Sequence, residues 1–217
     1  MPRMRTTLLL MLGLAACSSD STTVDAPAAV TQDCTTYCTE IQANCTGANA
    51  QYPDPAHCMA ACASFPMGTA ADKGPGTNTL GCRIYHAGTP SMTTPATHCP
   101  HAGPGGDLTS VASNGQCGDA CTSFCTLEIK ACGVTGDAGG NGQYASMAAC
   151  MTSCAGFDKT HLYSITSAGD SLACRLYHST NAAISATNAT THCPHTGPMP
   201  GPAGSMNPCL AGKAPTP

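Results

Sequence analysis

Histidine is the residue type that this sequence places most regularly. Six of the eight histidines form two sets of three, each set framed by repeated words: Cys82-Arg-Ile-Tyr-His86 with Thr97-His-Cys-Pro-His101, and Cys174-Arg-Leu-Tyr-His178 with Thr191-His-Cys-Pro-His195. Neutral imidazoles are good ligands for Cu(II) and Zn(II). The sequence therefore predicts one candidate metal site in each half, made by His86, His98 and His101 and by His178, His192 and His195.

The same motifs also have a structural interpretation, which the sequence leaves open. Histidine rings can hydrogen-bond the carbonyls of ordered loops, and no carboxylate adjoins either His-x-x-His pair in the sequence. Arg83 and Arg175 lie one helical turn before His86 and His178. Each arginine could bind an anion, or it could cover loop carbonyls and the end of a helix.

Cysteine spacing predicts the elements that position these histidines. Apart from Cys17, the 17 cysteines form two sets of eight, with intervals of 3, 6, 3 and 19 residues recurring in both. Because a helix turns about 100° per residue, Cys34, Cys38 and Cys45 share one face of a helix. Asp33, Asp54 and Asp119 are suited to begin helices, and Asn78 or Asp170 could begin a third helix in its half.

Two antiparallel helices with cysteines four residues apart can be joined by two parallel disulfides. This arrangement resembles disulfide-linked helical hairpins generally. In such a hairpin the outer cysteine of one helix pairs with the outer cysteine of the other, and the inner with the inner. Cys45 could then reach the third helix. The last two cysteines of that half would pair with each other. The predicted bonds are Cys34–Cys62, Cys38–Cys58, Cys45–Cys82, Cys99–Cys117, Cys121–Cys154, Cys125–Cys150, Cys132–Cys174 and Cys193–Cys209.

The predicted fold is small, disulfide-rich and mainly α-helical, with two tandem helical-hairpin modules and long irregular loops. Leu, Ile, Val and Phe are too scarce to stabilise a core alone, so disulfides must contribute. The stretches 87–116 and 179–208 are rich in Gly, Pro, Ser and Thr and are predicted to be loops. Modules are expected at 33–117 and 118–209, followed by a tail at 210–217.

Several classes of function find no support in the sequence. It has no Gly-x-Ser-x-Gly elbow, no phosphate loop and no Cys-x-x-Cys-His haem motif, and Glu40 and Glu128 are not in register between the halves. A net charge of −4 argues against nucleic acid as a partner. We therefore expect no enzymatic activity, no haem and no nucleotide cofactor, and copper or zinc is the candidate cofactor.

The first seventeen residues form a basic and then apolar segment that ends in Leu14-Ala15-Ala16-Cys17. This segment resembles the lipobox of bacterial lipoproteins. The repeated Cys-Arg-x-Tyr-His and Thr-His-Cys-Pro-His-x-Gly-Pro words resemble cysteine-rich lipoproteins of bacterial genomes. The resemblance implies a signal peptide at 1–16, acylation of Cys17, a flexible tether at 17–32 and the membrane as partner. Its implied location is the bacterial cell envelope, at the outer membrane or surface rather than the inner membrane.

Two functions follow as expectations. The first is a lipid-anchored envelope protein that acts as a non-enzymatic binding or structural module, with a protein or small-molecule partner left open. The alternative is a histidine-based copper- or zinc-binding or redox protein of the envelope.

Overall fold

The computed structural model describes residues 31–108, 115–138, 140–198 and 208–209. The helices are α1 (Cys34–Asn44), α2 (Pro55–Cys62), α3 (Leu80–Ala87), α4 (Thr89–Thr93), α5 (Pro95–Ala102), α6 (Ala120–Cys132), α7 (Met147–Ala155), α8 (Leu172–Ala182) and α9 (Ala186–His192), with 3₁₀ turns at Gly47–Asn49 and Cys193–His195. The described residues contain no β-strand beyond an isolated bridge residue, Ala168. The prediction of a disulfide-rich, mainly α-helical fold is confirmed.

Short polar side chains begin most of the helices. The carboxylates of Asp33, Asp54 and Asp119 each accept a hydrogen bond from the backbone N–H three residues later, at 2.7–3.0 Å. This satisfies a donor that has no partner inside the helix. The third helix of each half begins one residue later than predicted, because Thr79 and Ser171 cap α3 and α8.

The hairpin disulfides have the pairing that the helical spacing predicts. The structure joins Cys34–Cys62 and Cys38–Cys58 between α1 and α2, and Cys121–Cys154 and Cys125–Cys150 between α6 and α7. Each of these four disulfides joins two neighbouring helices, and the Cα atoms of the two bonded cysteines are 5.6–5.8 Å apart.

The other four predicted disulfides are wrong. The structure replaces Cys45–Cys82 and Cys99–Cys117 by Cys45–Cys99 and Cys82–Cys117, and it replaces Cys132–Cys174 and Cys193–Cys209 by Cys132–Cys193 and Cys174–Cys209. The reason is the direction of the third helix. The Asn44 amide donates to the Ala87 carbonyl at 2.8 Å, so α1 and α3 end at the same side. Cys45 therefore lies beside the end of α3, whereas Cys82 lies in its first turn.

The predicted loops at 87–116 and 179–208 are largely helical in their described parts. They contain α4, α5, α9 and the turn Cys193–His195. Pro90 and Pro95 occupy the first turns of α4 and α5, where a missing N–H costs no helical hydrogen bond. Their proline content therefore did not exclude helices.

The two halves share one apolar core, although each disulfide joins cysteines of the same half. Tyr37 of α1 packs edge-on against Phe65, and Phe124 of α6 packs likewise against Phe157, with ring centroids 6.1–6.2 Å apart. Polar contacts also cross the boundary, such as His57 Nε2 to the Asn181 side-chain oxygen at 3.2 Å. The division into modules at 33–117 and 118–209 stays a prediction.

The buried side of α1 and that of α6 differ in one respect. In the second half, Glu128 is fully buried and accepts hydrogen bonds from Ser179 Oγ at 2.6 Å and Thr196 Oγ1 at 2.7 Å. The corresponding residues of the first half are Ile41, Ala87 and Ala102, all of them apolar and buried. A polar network in one half thus takes the place of an apolar contact in the other.

Candidate metal centres

Neighbouring helical segments bring the three histidines of each half together. His86 lies in the last turn of α3, and His98 and His101 lie three residues apart on α5, so both face the same side. In the second half α8 carries His178, α9 carries His192, and the following 3₁₀ turn carries His195. The disulfides at Cys99 and Cys193 hold the segments between these histidines against α1 and α6.

In the first cluster the Nδ1 atoms of His86 and His98 face each other. His86 Nδ1 lies 2.9 Å from His98 Nδ1, and their rings stack with centroids 5.1 Å apart. The His101 ring stands edge-on to both, and its Nδ1 is buried without a hydrogen-bond partner among the described residues. One ring nitrogen from each histidine lies within 4.8 Å of those of the other two.

The second cluster repeats this arrangement. His178 Nδ1 lies 2.9 Å from His192 Nδ1 and 3.2 Å from His195 Nδ1. The His178 and His192 rings stack, and His195 stands edge-on to both. The structure therefore brings together all six histidines that the sequence singles out, in two sets of three.

These nitrogen separations suit a bound metal ion. With Zn–N bonds of about 2.05 Å, two ligands of a tetrahedral site are about 3.3 Å apart. The observed 2.9 and 3.2 Å are close to that distance. Since a neutral imidazole has only one N–H, His178 Nδ1 cannot donate to both neighbouring Nδ1 atoms. Three convergent nitrogen atoms are better satisfied by one cation than by one another.

The far nitrogen atoms of the rings have different partners in the two halves. His86 Nε2 donates to the Lys73 carbonyl at 3.3 Å, which fixes its tautomer and leaves the Nδ1 lone pair toward the cluster. His101 Nε2 lies 3.7 Å from the buried carboxylate of Asp107. In the second half, His178 Nε2 is buried and has no hydrogen-bond partner in the described part of the chain.

Burial keeps most of these rings neutral at pH 7. Desolvation, with help from the neighbouring histidines, lowers the pKa of His86 to about 4 and that of His178 to about 3. Desolvation likewise lowers the pKa of His101, His192 and His195. A neutral imidazole is the form that binds metal.

The repeated arginines are anchors for the histidine segments. Arg83 Nε donates to the Gly103 carbonyl and Arg175 Nε to the Gly197 carbonyl, each at 3.2 Å. Both guanidinium groups are buried and lie over a phenylalanine ring. These contacts favour the carbonyl-covering role over anion binding. Because each glycine follows the last histidine of its set by two residues, the arginine fixes that segment.

Sequence reasoning missed Asp107 and the Lys73 carbonyl. Asp107 is the only acidic residue between Asp72 and Asp119, which could have drawn attention to it. The sulfur atoms of Cys82 and Cys117 also lie near His86, and those of Cys174 and Cys209 lie near His178. They are joined in disulfides and so offer no thiolate ligand.

The fold and these clusters together define a helical, disulfide-linked protein with a three-histidine centre in each half. The chain belongs to the family described as BfoA family C-terminal domain, whose model matches residues 4–113. That match includes His86, His98, His101 and Asp107, whereas the second cluster lies outside it.

The named relatives are fungal. The chain is 43% identical over 95 residues to the bifonsecin B biosynthesis cluster protein A of Aspergillus brasiliensis, which is 42% of this chain and 31% of the relative. It is 43% identical over 93 residues to the aurasperone B biosynthesis cluster protein A of Aspergillus niger, or 42% and 30% of the two chains. The match thus spans about a third of the relatives' length. No solved structure matches the chain significantly.

These comparisons overturn the resemblance to bacterial lipoproteins and the location in a bacterial cell envelope, because the relatives are fungal biosynthesis-cluster proteins. Cys17, the signal segment at 1–16 and the tail at 210–217 lie outside the described residues, as does the tether apart from residues 31–32. None of the described helices is long and apolar enough to cross a membrane.

Proposed function

We propose that this chain binds transition-metal ions, with one three-histidine centre in each half. The observation that carries the proposal is the convergence of Nδ1 atoms, at 2.9 Å in the first cluster and at 2.9 and 3.2 Å in the second. The two segments repeat the same Thr-His-Cys-Pro-His word and differ in local helix type, and both bring their histidine rings together. The arrangement is thus kept in both halves although the local helix type has changed, which supports a shared ligand.

The surroundings of both clusters favour metal binding. The lowered pKa values keep ligands deprotonated, and the disulfides and buried arginines hold the histidine segments in place before an ion arrives. Three protein ligands also leave one position of a tetrahedral ion open for an external ligand. Zinc and copper are the ions that suit imidazole nitrogen.

A purely structural role for the six histidines is the competing hypothesis. In that role we would expect ring nitrogens to bond backbone carbonyls, as His86 Nε2 does with Lys73. The Nδ1 atoms instead face one another, which supports the metal proposal. The expectation that the chain is not an enzyme stays a prediction. The relatives are named as biosynthesis cluster proteins. We therefore also propose that this chain has a supporting role in a biosynthesis cluster.

The test is the metal content of the oxidised full chain after equilibration with micromolar Zn(II) or, without oxygen, Cu(I). We expect bound metal at pH 7, and we expect that replacing two histidines of one cluster by alanine removes the ion of that half. His161→Ala is the matched control, because His161 pairs with Asp158 and belongs to neither cluster. A chain that takes up neither ion would leave only the structural role.

A further inference from the structure

The two clusters differ in the charge that surrounds them. In the first half, the carboxylate of Asp107 lies 3.7 Å from His101 Nε2 and is only 6% exposed. His101 belongs to the group of three ring nitrogens, so this carboxylate lies directly behind one ring of the first cluster. A positive charge placed among these rings would be partly compensated by this buried anion.

In the described part of the chain, no carboxylate pairs with a histidine of the second cluster. Residue 201, which corresponds to Asp107, is glycine, and the sequence contains no Asp or Glu after Asp170. Glu128, the buried acid of this half, accepts from Ser179 and Thr196 and does not belong to the group of His178, His192 and His195.

The contacts of the Nε2 atoms also indicate that the first cluster is better suited to a divalent ion than the second. His86 Nε2 donates to the Lys73 carbonyl, a partner that gains strength when a cation binds at Nδ1. The corresponding His178 Nε2 is buried without a partner among the described residues. The second cluster is therefore poorer in groups that could stabilise added positive charge.

The cost of moving an ion out of water rises with the square of its charge. A divalent ion in a poorly polar site thus loses about four times as much solvation as a monovalent ion of the same size. Three neutral imidazoles carry no charge that could offset this loss. In the first half, the carboxylate of Asp107 partly offsets the lost solvation of a divalent ion. The charge of the ion should therefore distinguish the two centres.

We propose that the first cluster holds a divalent ion, Zn(II), and that the second holds the monovalent ion Cu(I). Imidazole nitrogen accepts both ions. This inference rests on the proposed metal-binding function and specifies which ion each centre takes.

The experiment uses the oxidised full chain in two titrations. Zn(II) is followed by calorimetry, and Cu(I) is followed without oxygen by competition with a coloured Cu(I) chelator. We expect one tight Zn(II) per chain, lost in His98→Ala/His101→Ala and kept in His192→Ala/His195→Ala. We expect Cu(I) added to the zinc-loaded chain to bind one equivalent in the second half without releasing zinc.

Asp107→Asn tests the charge argument directly. Loss of a partner that supports a metal-bound histidine weakens binding about 10–100-fold. We expect Zn(II) affinity to fall by about tenfold or more and Cu(I) affinity to remain unchanged. Asp137→Asn, at an exposed carboxylate in a loop after α6, is the matched control. Circular dichroism of every variant verifies folding, and Asp107→Asn remains decisive if a double alanine variant unfolds.

Each remaining outcome has a distinct meaning. Two equally tight Zn(II) ions, zinc released by Cu(I), or an Asp107→Asn variant with unchanged Zn(II) affinity would overturn the division by charge while leaving metal binding in place. Failure of the chain to bind either ion would instead refute the proposed function itself.

Discussion

The buried carboxyl group of Glu128 should make the stability of this protein depend on pH in a way that one substitution removes. Burial raises the pKa of Glu128 from its ordinary 4.5 to about 7, while the bonds from Ser179 and Thr196 act in the opposite direction. Below pH 4.5 the carboxyl is neutral in both the folded and the unfolded chain, so it causes no pH-dependent loss of stability. Between pH 4.5 and 7 only the unfolded chain ionises, which favours unfolding.

The magnitude follows from the two pKa values. One pKa unit corresponds to about 1.4 kcal/mol, so a rise from 4.5 to about 7 lowers the free energy of unfolding by roughly 3 kcal/mol once the pH exceeds 7. Glu128→Gln imitates the protonated acid, because its amide donates to Ser179 Oγ and its oxygen accepts from Thr196 Oγ1. The variant cannot ionise and should not undergo this loss.

Urea unfolding without reductant, in the presence of a chelator, measures the effect at pH 4 and pH 8. The stability of Glu128→Gln relative to the native chain should increase by about 3 kcal/mol between these two pH values. Glu40→Gln is the control, and it should give a smaller increase because the Glu40 carboxyl is only partly buried. A difference between Glu128→Gln and the native chain that stays constant with pH would refute the reasoning.

Three further predictions concern the framework of the clusters. Arg83→Lys should lower the free energy of unfolding by about 2 kcal/mol, because lysine cannot replace the several hydrogen bonds of the buried guanidinium; an unchanged urea midpoint would contradict this. Cys45→Ala/Cys99→Ala should cost about 3 kcal/mol and weaken Zn(II) binding, because this disulfide fixes the helix that carries two ligands; calorimetry and urea unfolding measure both effects. In the metal-free chain, His178 should contribute a loss of stability as the pH falls from 6.5 toward about 3, opposite in sign to the effect of Glu128, because its pKa is lower in the folded than in the unfolded chain. Thermal melts of His178→Ala should therefore lose less stability than those of the native chain over this range.

Local signals in the sequence were sufficient for the hairpins. Asp33 and Asp119 begin helices as their side chains predict, and cysteines four residues apart gave the correct bonds between α1 and α2 and between α6 and α7. The proline and threonine content of this segment led to the prediction of a loop where α5 lies. Composition does not distinguish a proline in the first turn of a helix from a proline in a loop.

The remaining disulfides depend on the direction in which the helices pack against one another. The choice between Cys82 and Cys99 as the partner of Cys45 rests on α1 and α3 ending at the same side, which no spacing rule contains. The grouping of six histidines followed from the repeat. The place of Asp107 did not, because a carboxylate that follows two glycines gives no sign of the ring that it will face.

The order in which cysteines leave the ribosome has a consequence for how this chain must be oxidised. The partner of Cys45 is Cys99, which lies 54 residues further along the chain. Cys82 is therefore synthesised before Cys99. The pair Cys45–Cys82 is thus available during synthesis although it is absent from the final structure, and the second half repeats the situation with Cys132 and Cys174. We expect early oxidation to trap these mispaired forms, so production of the protein should depend on a disulfide isomerase that can exchange them once Cys99 and Cys193 have been synthesised.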